Sequence, residues 1–228
     1  DERGGARRCD AAPRTEVVHN GLRVRAVPAG PHDGRTAQLL LSVGRLEHYK
    51  RQDLAVKALA HLPGWELAVI GAGPAAAALQ DLAARLGLSD RVHFPGRISD
   101  DDLGGWLSRA WAFISMSEKE AFGLTLLEAA AWGIPVVASD IPAHAEVAAM
   151  VPGGVDLVTI ATDTSALAGS VASAAKPMTE VALRPWAGDL SWANVGRSLE
   201  AVYRSLVEPA PSSHHDIASR PTPITARY

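Results

Sequence analysis

The sequence predicts a doubly wound α/β domain, in which helices cover both faces of a parallel sheet. Short runs of valine, isoleucine, leucine and alanine alternate with amphipathic stretches from Gln38 onward. The apolar runs are continuous, which is typical of strands that are buried on both faces. Strands that alternate with helices in this way favour parallel pairing through crossover connections.

The predicted elements follow one another with short connections. The first group comprises strand 38–43, helix 53–62, strand 66–70, helix 77–88, strand 91–94 and helix 101–110. The second group comprises strand 111–115, helix 122–133, strand 134–139, a short helix 144–150, a weaker strand 155–160 and helix 165–175. A last helix over 192–207 is expected to pack through Val195, Leu199, Val202, Tyr203 and Leu206.

Composition divides the chain into three parts. Residues 1–35 are rich in arginine, glycine, proline and aspartate, and we interpret them as a leader or interdomain connection. Residues 36–207 form the predicted domain. Residues 208–228 contain the polar, proline-rich stretch PAPSSHHDIASRPTPITARY and are predicted to be a disordered tail.

Charge and composition exclude several function classes. A formal net charge of −3 provides no basic excess for a phosphate backbone, so we expect no nucleic-acid partner. No apolar run of about 18 residues is present, so no membrane span is expected. The single cysteine, Cys9, cannot form a disulfide within the chain, and the first residues lack the apolar middle of a secretion signal. We therefore expect a cytoplasmic protein.

The fold class predicts where a ligand binds. In doubly wound sheets, ligands occupy the crevice beyond the carboxyl ends of the strands. The search for functional residues therefore narrows to the loops that follow Val43, Ile70, Phe94, Ser115 and Ala138.

The loop after the first strand carries two cations. Gly44 permits a sharp turn, and Arg45 and Lys50 follow on the same loop. A guanidinium binds phosphate oxygens in a fork and an ammonium adds a compact charge, so the pair is suited to a diphosphate. The alternative is a solvated basic loop, in which Arg51 in particular is a surface residue.

The loop Gly71–Ala76 has the spacing G-x-G-x-x-A, which in dinucleotide-binding folds brings backbone N–H groups to a pyrophosphate. Such sites also have an acid about 20 residues later, at the end of the next strand. Here the nearest acid, Asp90, precedes that strand. The glycines therefore favour a tight turn, and a dinucleotide-dependent oxidoreductase is the least favoured alternative.

The segment Ser117–Ala129 combines a glycine at a predicted helix N-terminus with two acids. Gly123 allows close approach to helix N–H groups, which attract anions. Glu120 precedes the helix and Glu128 lies in it, and we expect both carboxylates to face one cleft and each to bind the hydroxyls of a sugar ring. The alternative is that Glu120 only interacts favourably with the helix dipole and that Glu128 is an exposed acid on the helix.

Several motifs together resemble a known family. The spacing E-x7-E from Glu120 to Glu128, the run E-A-A-A-W-G-I-P-V-V-A-S, and the pieces H-N-G, S-V-G-R, V-I-G-A-G-P and R-V-H-F-P-G are similar to the C-terminal domain of retaining GT-B glycosyltransferases of the glycogen-synthase and sucrose-synthase-like class. The match covers about 17–207. It implies a Rossmann-like domain that forms one half of a GT-B fold.

The resemblance also implies roles for the charged residues. Arg45 and Lys50 correspond to the pair that binds the donor diphosphate, with Gly44 in the same loop. Glu128 corresponds to the acid on the ribose hydroxyls. Glu120 corresponds to the acid that faces the donor sugar near the reacting carbon, which is the catalytic position.

Two further segments have implied backbone roles. The backbone from Phe122 through Gly123 to Leu124 corresponds to the lining of the sugar and phosphate pocket. Arg97 and Ile98 correspond to the segment whose backbone reads the nucleobase. No metal and no cofactor are implied, because cations and helix N–H groups neutralise the leaving diphosphate.

The implied activity is hexosyl transfer, with retention of configuration, from a UDP-, GDP- or ADP-linked sugar. The acceptor-binding N-terminal domain is missing from this sequence, so we expect the chain to bind the donor and to be inactive unless that domain or a separate chain is supplied. The alternatives are an epimerase-like relative and a non-catalytic nucleotide-sugar-binding module. The loop Ile141–Glu146 departs from the glycines that the family often has there.

Overall fold

The computed structural model describes residues 16–22, 38–161, 163–175 and 188–207. Most of the predicted leader and all of the predicted tail lie outside these ranges. The chain divides into two compact units, one with residues 1–18 and 196–228 and the other with residues 19–195. The sheet and every predicted site residue belong to the unit 19–195.

Six parallel strands form one sheet. They are β1 Gln38–Val43, β2 Trp65–Ile70, β3 Val92–Gly96, β4 Ala110–Ser115, β5 Val136–Ser139 and β6 Val155–Val158. Their order in the sheet is β3-β2-β1-β4-β5-β6, and every neighbouring pair is parallel. The predicted doubly wound α/β fold is therefore confirmed.

Seven helices accompany the sheet within the described residues. They are α1 Gln52–Leu59, α2 Ala76–Arg85, α3 Asp100–Leu107, α4 Leu124–Ala131, α5 Pro142–Met150, α6 Thr164–Ala174 and α7 Trp192–Val207. A short 3-10 turn, His48–Lys50, precedes α1. Several predicted bounds differ from the observed ones by a few residues, and two of these differences have a clear local reason. Helix α2 ends before Gly87, whose φ of 68° is left-handed, and α5 begins earlier because Pro142 occupies its first position.

The expected packing of α7 is only partly correct. Val195 is buried, but Leu199, Tyr203 and Leu206 are 41%, 65% and 75% exposed. The compact unit that contains the sheet ends at Val195, and the later turns of this helix belong to the other compact unit.

Side chains of each strand alternate between two apolar cores. In β1, Leu40 joins the core that contains residues of α1, α2 and α6. Leu39 and Leu41 join the other core, with residues of α3, α4 and α5. This alternation follows from the two-residue period of a strand, and it explains why the strands carry apolar residues on both faces.

The strand order creates a switch point between β1 and β4. The chain proceeds outward from β1 through β2 to β3, and it then returns to place β4 on the other side of β1. The loops that follow β1 and β4 therefore leave the sheet side by side at its carboxyl edge. In open α/β sheets this is the position of the ligand crevice.

The glycines after β2 serve a close approach of two loops. The Gly44 N–H donates to the Ile70 carbonyl at 3.0 Å, and the Leu46 N–H donates to the Ala72 carbonyl at 3.0 Å. A Cβ atom on Gly71 would lie 1.8 Å from the Gly44 carbonyl oxygen. The tight-turn interpretation of these glycines thus has a structural basis, because the loop after β1 leaves no room for a side chain.

We expect Gly71→Ala to destabilise the domain by at least about 3 kcal/mol, because the clash is with backbone and cannot be relieved by a rotamer change. Gly169→Ala is the matched control, since that glycine lies inside α6 with no atom near its Cβ position. It should stabilise by about 0.5–1 kcal/mol. Urea unfolding measures both. Equal stabilities of the two variants would show that the loops are not packed in this way.

Candidate active site

The centre of the site is an ion pair between Lys50 and Glu120. Lys50 ends the 3-10 turn after β1, and Glu120 lies in the loop between β4 and α4. The Lys50 Nζ and Glu120 Oε1 atoms are 2.5 Å apart, and the side chains are 16% and 15% exposed. The structure therefore brings together two predicted site residues that are 70 positions apart, and it does so at the switch point.

Further contacts join the same two loops. The Glu118 N–H donates to the Tyr49 carbonyl at 2.8 Å, and the Arg51 guanidinium pairs with Glu118 at 3.0 Å and with Asp53 at 3.0 Å. Arg51 is the one described non-glycine residue with a positive φ, at 49°. This conformation costs about 1–2 kcal/mol for an L-residue. Arg51 is thus a partly exposed residue, and its side chain connects the Lys50 turn to the Glu120 loop.

Arg45 does not join the Lys50–Glu120 pair. Its guanidinium donates to Glu47 at 2.6 Å, and its side chain is 76% exposed. Its backbone is held, because the Gln52 amide donates to the Arg45 carbonyl at 3.0 Å. The guanidinium is thus a solvated group on an anchored loop. Gly44, just before it, is bound through its own N–H to Ile70.

Three buried polar residues are linked to Glu120 by hydrogen bonds. The Ser117 hydroxyl donates to Glu120 Oε1 at 2.9 Å, and the Ser139 hydroxyl donates to the Ser117 carbonyl at 2.5 Å. His144 Nδ1 lies 3.0 Å from the Ser139 hydroxyl and 2.9 Å from the Ser139 carbonyl. Ser117, Ser139 and His144 are all buried. Sequence reasoning missed them, although Ser139 ends a predicted strand and Ser117 follows one closely, at the sheet edge where ligands bind.

Helix α4 begins at the site. Its N-cap is Gly123, with φ 94° and ψ 39°, and no side chain caps it. Because glycine has no side chain, the N-cap residue leaves the first-turn N–H groups without a side-chain cap. Phe122 stacks on His19 with ring centroids 5.5 Å apart, and Leu124 is 37% exposed.

Glu128 lies in a different environment from Glu120. It lines a cavity of about 310 Å³ that does not include Glu120 or Lys50. The lining residues are Gly21, Leu22, Asp100, Leu103, Gly104, Leu107, Leu124, Glu128, Ala131, Trp132 and Trp192. Burial, together with the charge of Asp100, raises the pKa of Glu128. Glu128 thus lines a cavity whose lining does not include Glu120, and the expectation that both carboxylates face one cleft stays a prediction.

The segment after β3 follows the same carboxyl edge. Arg97 is exposed, and Ile98 packs partly against the core that contains α3 and α4.

No group of three or more histidine, cysteine, aspartate or glutamate side chains in the described residues is arranged to hold a metal ion. No helix in the described ranges is both long and apolar enough to cross a membrane.

We expect Lys50→Met to destabilise the domain by about 1–3 kcal/mol, because it leaves the Glu120 carboxylate poorly solvated with only the Ser117 hydroxyl as partner. Lys57→Met is the control, since it breaks a pair with Asp53 that is more exposed. That change should cost no more than about 0.5 kcal/mol. Thermal unfolding at low and high salt measures both, and a similar small loss from each would contradict the buried character of the Lys50 pair.

We expect Glu128→Gln to stabilise the chain at neutral pH. The raised pKa means that the folded state binds the proton more tightly than the unfolded state does, so ionised Glu128 costs stability above that pKa. The advantage of the variant should therefore fade as the pH falls through the raised pKa into the ordinary range for glutamate. Unfolding curves across pH measure it, with Asp81→Asn on exposed α2 as a control. An advantage that is constant with pH would refute this origin.

Comparison with known proteins identifies the family. The model of the family "Glycosyl transferases group 1" matches residues 32–176, more than half of the chain. An exopolysaccharide phosphotransferase of Streptomyces coelicolor is 35% identical over 175 residues, which are 71% of this chain and 18% of that protein. A glycogen synthase of Mycobacterium tuberculosis is 32% identical over 198 residues, which are 82% of this chain and 47% of that enzyme. The chain thus spans less than half the length of these relatives.

Solved structures agree on the fold. Sucrose-phosphate synthase from Thermosynechococcus elongatus matches with a TM-score of 0.71 and 25% identity, over 86% of this chain and 53% of that one. Anabaena HepE in complex with UDP and glucose matches with a TM-score of 0.65 and 22% identity, over 74% of this chain and 48% of that one. From the family match and the Rossmann-like sheet, we conclude that this chain belongs to the group 1 glycosyltransferases, which have the GT-B fold.

Proposed function

We propose that this chain binds a nucleotide-diphosphate sugar and is the donor part of a retaining hexosyltransferase. The observation that carries the proposal is the Lys50–Glu120 pair at the switch point, beside the uncapped start of α4. Cation, carboxylate and free helix N–H groups lie on adjacent loops there. A diphosphate that is linked to a sugar needs this combination of groups.

Lys50 and Arg45 are proposed to bind the diphosphate. Arg45 is exposed on an anchored loop, so it can turn from Glu47 toward an anion at little cost. Lys50 must exchange its carboxylate partner for phosphate oxygens. The backbone N–H groups of Gly123 and Leu124 add donors at the positive end of the α4 dipole. Two cations and these donors stabilise the leaving diphosphate, so the proposed site needs no metal.

Glu120 is proposed to act on the transferred sugar. Once phosphate takes over Lys50, the Glu120 carboxylate keeps its bond from Ser117 and becomes an acceptor for a sugar hydroxyl near the reacting carbon. Breaking the bond between the anomeric carbon and the diphosphate leaves an oxocarbenium-like sugar. A carboxylate at this position stabilises that positive charge, and this is a differential interaction with the transition state.

Glu128 is proposed to bind the ribose hydroxyls. Its carboxylate lines an apolar cavity, where burial makes each hydrogen bond to a donor hydroxyl more valuable. The backbone of Arg97 and Ile98 is proposed to contact the base. The structural neighbour Anabaena HepE was solved in complex with UDP and glucose, which supports a uridine diphosphate sugar as the first probe.

Transfer also requires an acceptor site. Since the chain spans less than half of the curated relatives named above, we propose that an N-terminal domain or a separate chain supplies the acceptor side. In this proposal the chain alone binds the donor and transfers little sugar.

Calorimetric titration with UDP, GDP, ADP and NAD, each with and without EDTA, tests the proposal. We expect one or more of the nucleoside diphosphates to bind without metal and NAD not to bind. The double variant Arg45→Ala with Lys50→Ala should weaken that binding by about 10- to 100-fold, as expected for lost charge-assisted bonds. The double variant Lys57→Ala with Arg85→Ala, which removes two cations from α1 and α2, is the control.

Unchanged nucleotide binding in the Arg45 and Lys50 double variant would refute the diphosphate roles. Binding of NAD in place of nucleoside diphosphates would favour a dinucleotide enzyme. Conversion of a nucleotide sugar without any acceptor would favour an epimerase-like activity over transfer.

A further inference from the structure

We propose that His144 is a positioning residue for the Lys50–Glu120 pair, and that it acts through Ser139 and Ser117. We call these three residues the buried polar chain. The proposal concerns how the pair is held in place, and only its effect on nucleotide binding rests on the proposed function.

The hydrogen bonds of the buried polar chain determine which nitrogen of His144 carries the proton. The Ser139 hydroxyl has one hydrogen, and it donates that hydrogen to the Ser117 carbonyl at 2.5 Å. The hydroxyl and the carbonyl of Ser139 therefore both act as acceptors toward His144 Nδ1, at 3.0 and 2.9 Å. Both contacts are satisfied only if Nδ1 is protonated. The neutral ring then has its lone pair on Nε2, which has no partner among the described residues.

Burial keeps this arrangement intact. His144 and Ser139 have no exposed surface and Ser117 has 1%, so water does not compete for their hydrogen bonds. Burial also lowers the pKa of His144, so the neutral ring is the form present near neutral pH. The hydrogen bond to the Ser139 carbonyl and the Glu120 charge oppose this lowering of the pKa, and the Lys50 charge favours it. Among the described residues, Glu120 and Lys50 are the charged groups that act on the ring.

The buried polar chain ends on the oxygen that carries the ion pair. The Ser139 hydroxyl anchors the Ser117 carbonyl, and this bond restrains the position of the Ser117 side chain. The Ser117 hydroxyl in turn donates to Glu120 Oε1 at 2.9 Å. The same oxygen accepts from Lys50. Four consecutive contacts therefore run from helix α5 to the Lys50 ammonium.

His144 also packs beneath the start of α4. Its Cδ2 atom lies 3.5 Å from the position that a Cβ atom on Gly123 would occupy. A single imidazole thus lies beside the N-terminus of α4 and is linked, through two serines, to the loop before that helix. A histidine that only filled space in the core would have no link to Glu120, and the two roles predict different outcomes.

Two substitutions separate these roles. His144→Asn keeps an N–H donor close to the position of Nδ1, whereas His144→Leu fills similar space with no donor. We expect His144→Leu to weaken UDP binding by about 5- to 10-fold, as for one lost hydrogen bond, and to leave UMP binding within about twofold. His144→Asn should restore the ratio of the two Kd values. His61→Leu, at an exposed histidine, is the control.

The opposite results overturn the proposal. A Kd ratio in His144→Leu equal to that of the wild type would do so, as would equal losses of UDP and UMP binding or equal effects of leucine and asparagine. If His144→Leu does not fold, Ser139→Ala takes its place, because it removes the hydroxyl that links His144 to Ser117. The same selective loss of UDP binding is then expected.

A second measurement keeps this test separate from the proposed function. Nitrogen NMR of the histidine ring should show a protonated Nδ1, and the Lys50 ammonium should exchange slowly in the wild type and in His144→Asn but rapidly in His144→Leu. If the wild type binds no nucleoside diphosphate, the proposed function fails and these spectra decide alone. A neutral ring protonated on Nε2 would overturn the positioning role. Equal exchange rates of the Lys50 ammonium in the wild type and in His144→Leu would also overturn it.

Discussion

The ion pair between Lys50 and Glu120 is the interaction on which the rest of the site depends. It joins the loops that follow β1 and β4, the two strands on either side of the switch point. Both side chains are mostly buried, so each charge relies on the other for solvation that water no longer provides. The side chain of the left-handed residue Arg51 and the Glu118–Tyr49 backbone hydrogen bond hold the same two loops together. The Lys50–Glu120 pair therefore also helps to connect the two loops.

In the proposed function, this arrangement sets the energetics of diphosphate binding. A phosphate group that binds Lys50 replaces one charged partner with another, so the gain is the difference between two similar interactions. Glu120 is meanwhile retained by Ser117 and does not become an isolated charge. The cost of opening the pair is thereby limited, and the carboxylate becomes available to a second ligand group at the same step.

Glu128 differs from Glu120 in that its surroundings disfavour the ionised carboxylate. It lies in an apolar cavity, next to the charge of Asp100, and ionisation there is unfavourable. A ligand that donates hydrogen bonds to the carboxylate removes part of that penalty. The two acids of the E-x7-E motif thus have different surroundings, one paired with a cation and one poorly solvated, although the spacing suggested that they share one cleft.

The sequence alone determined the element order and the parallel sheet, because apolar periodicity and glycine positions depend on local backbone geometry. It also nominated Lys50 from the loop after the first strand, and Glu120 and Glu128 from the E-x7-E spacing, as candidate site residues. Only the tertiary structure decided that Lys50 pairs with Glu120, that Arg45 turns to Glu47, and that His144 is connected to Glu120 through Ser139 and Ser117. These contacts depend on loop conformations, such as the positive φ of Arg51, and on side chains far apart in the chain, which no local pattern encodes.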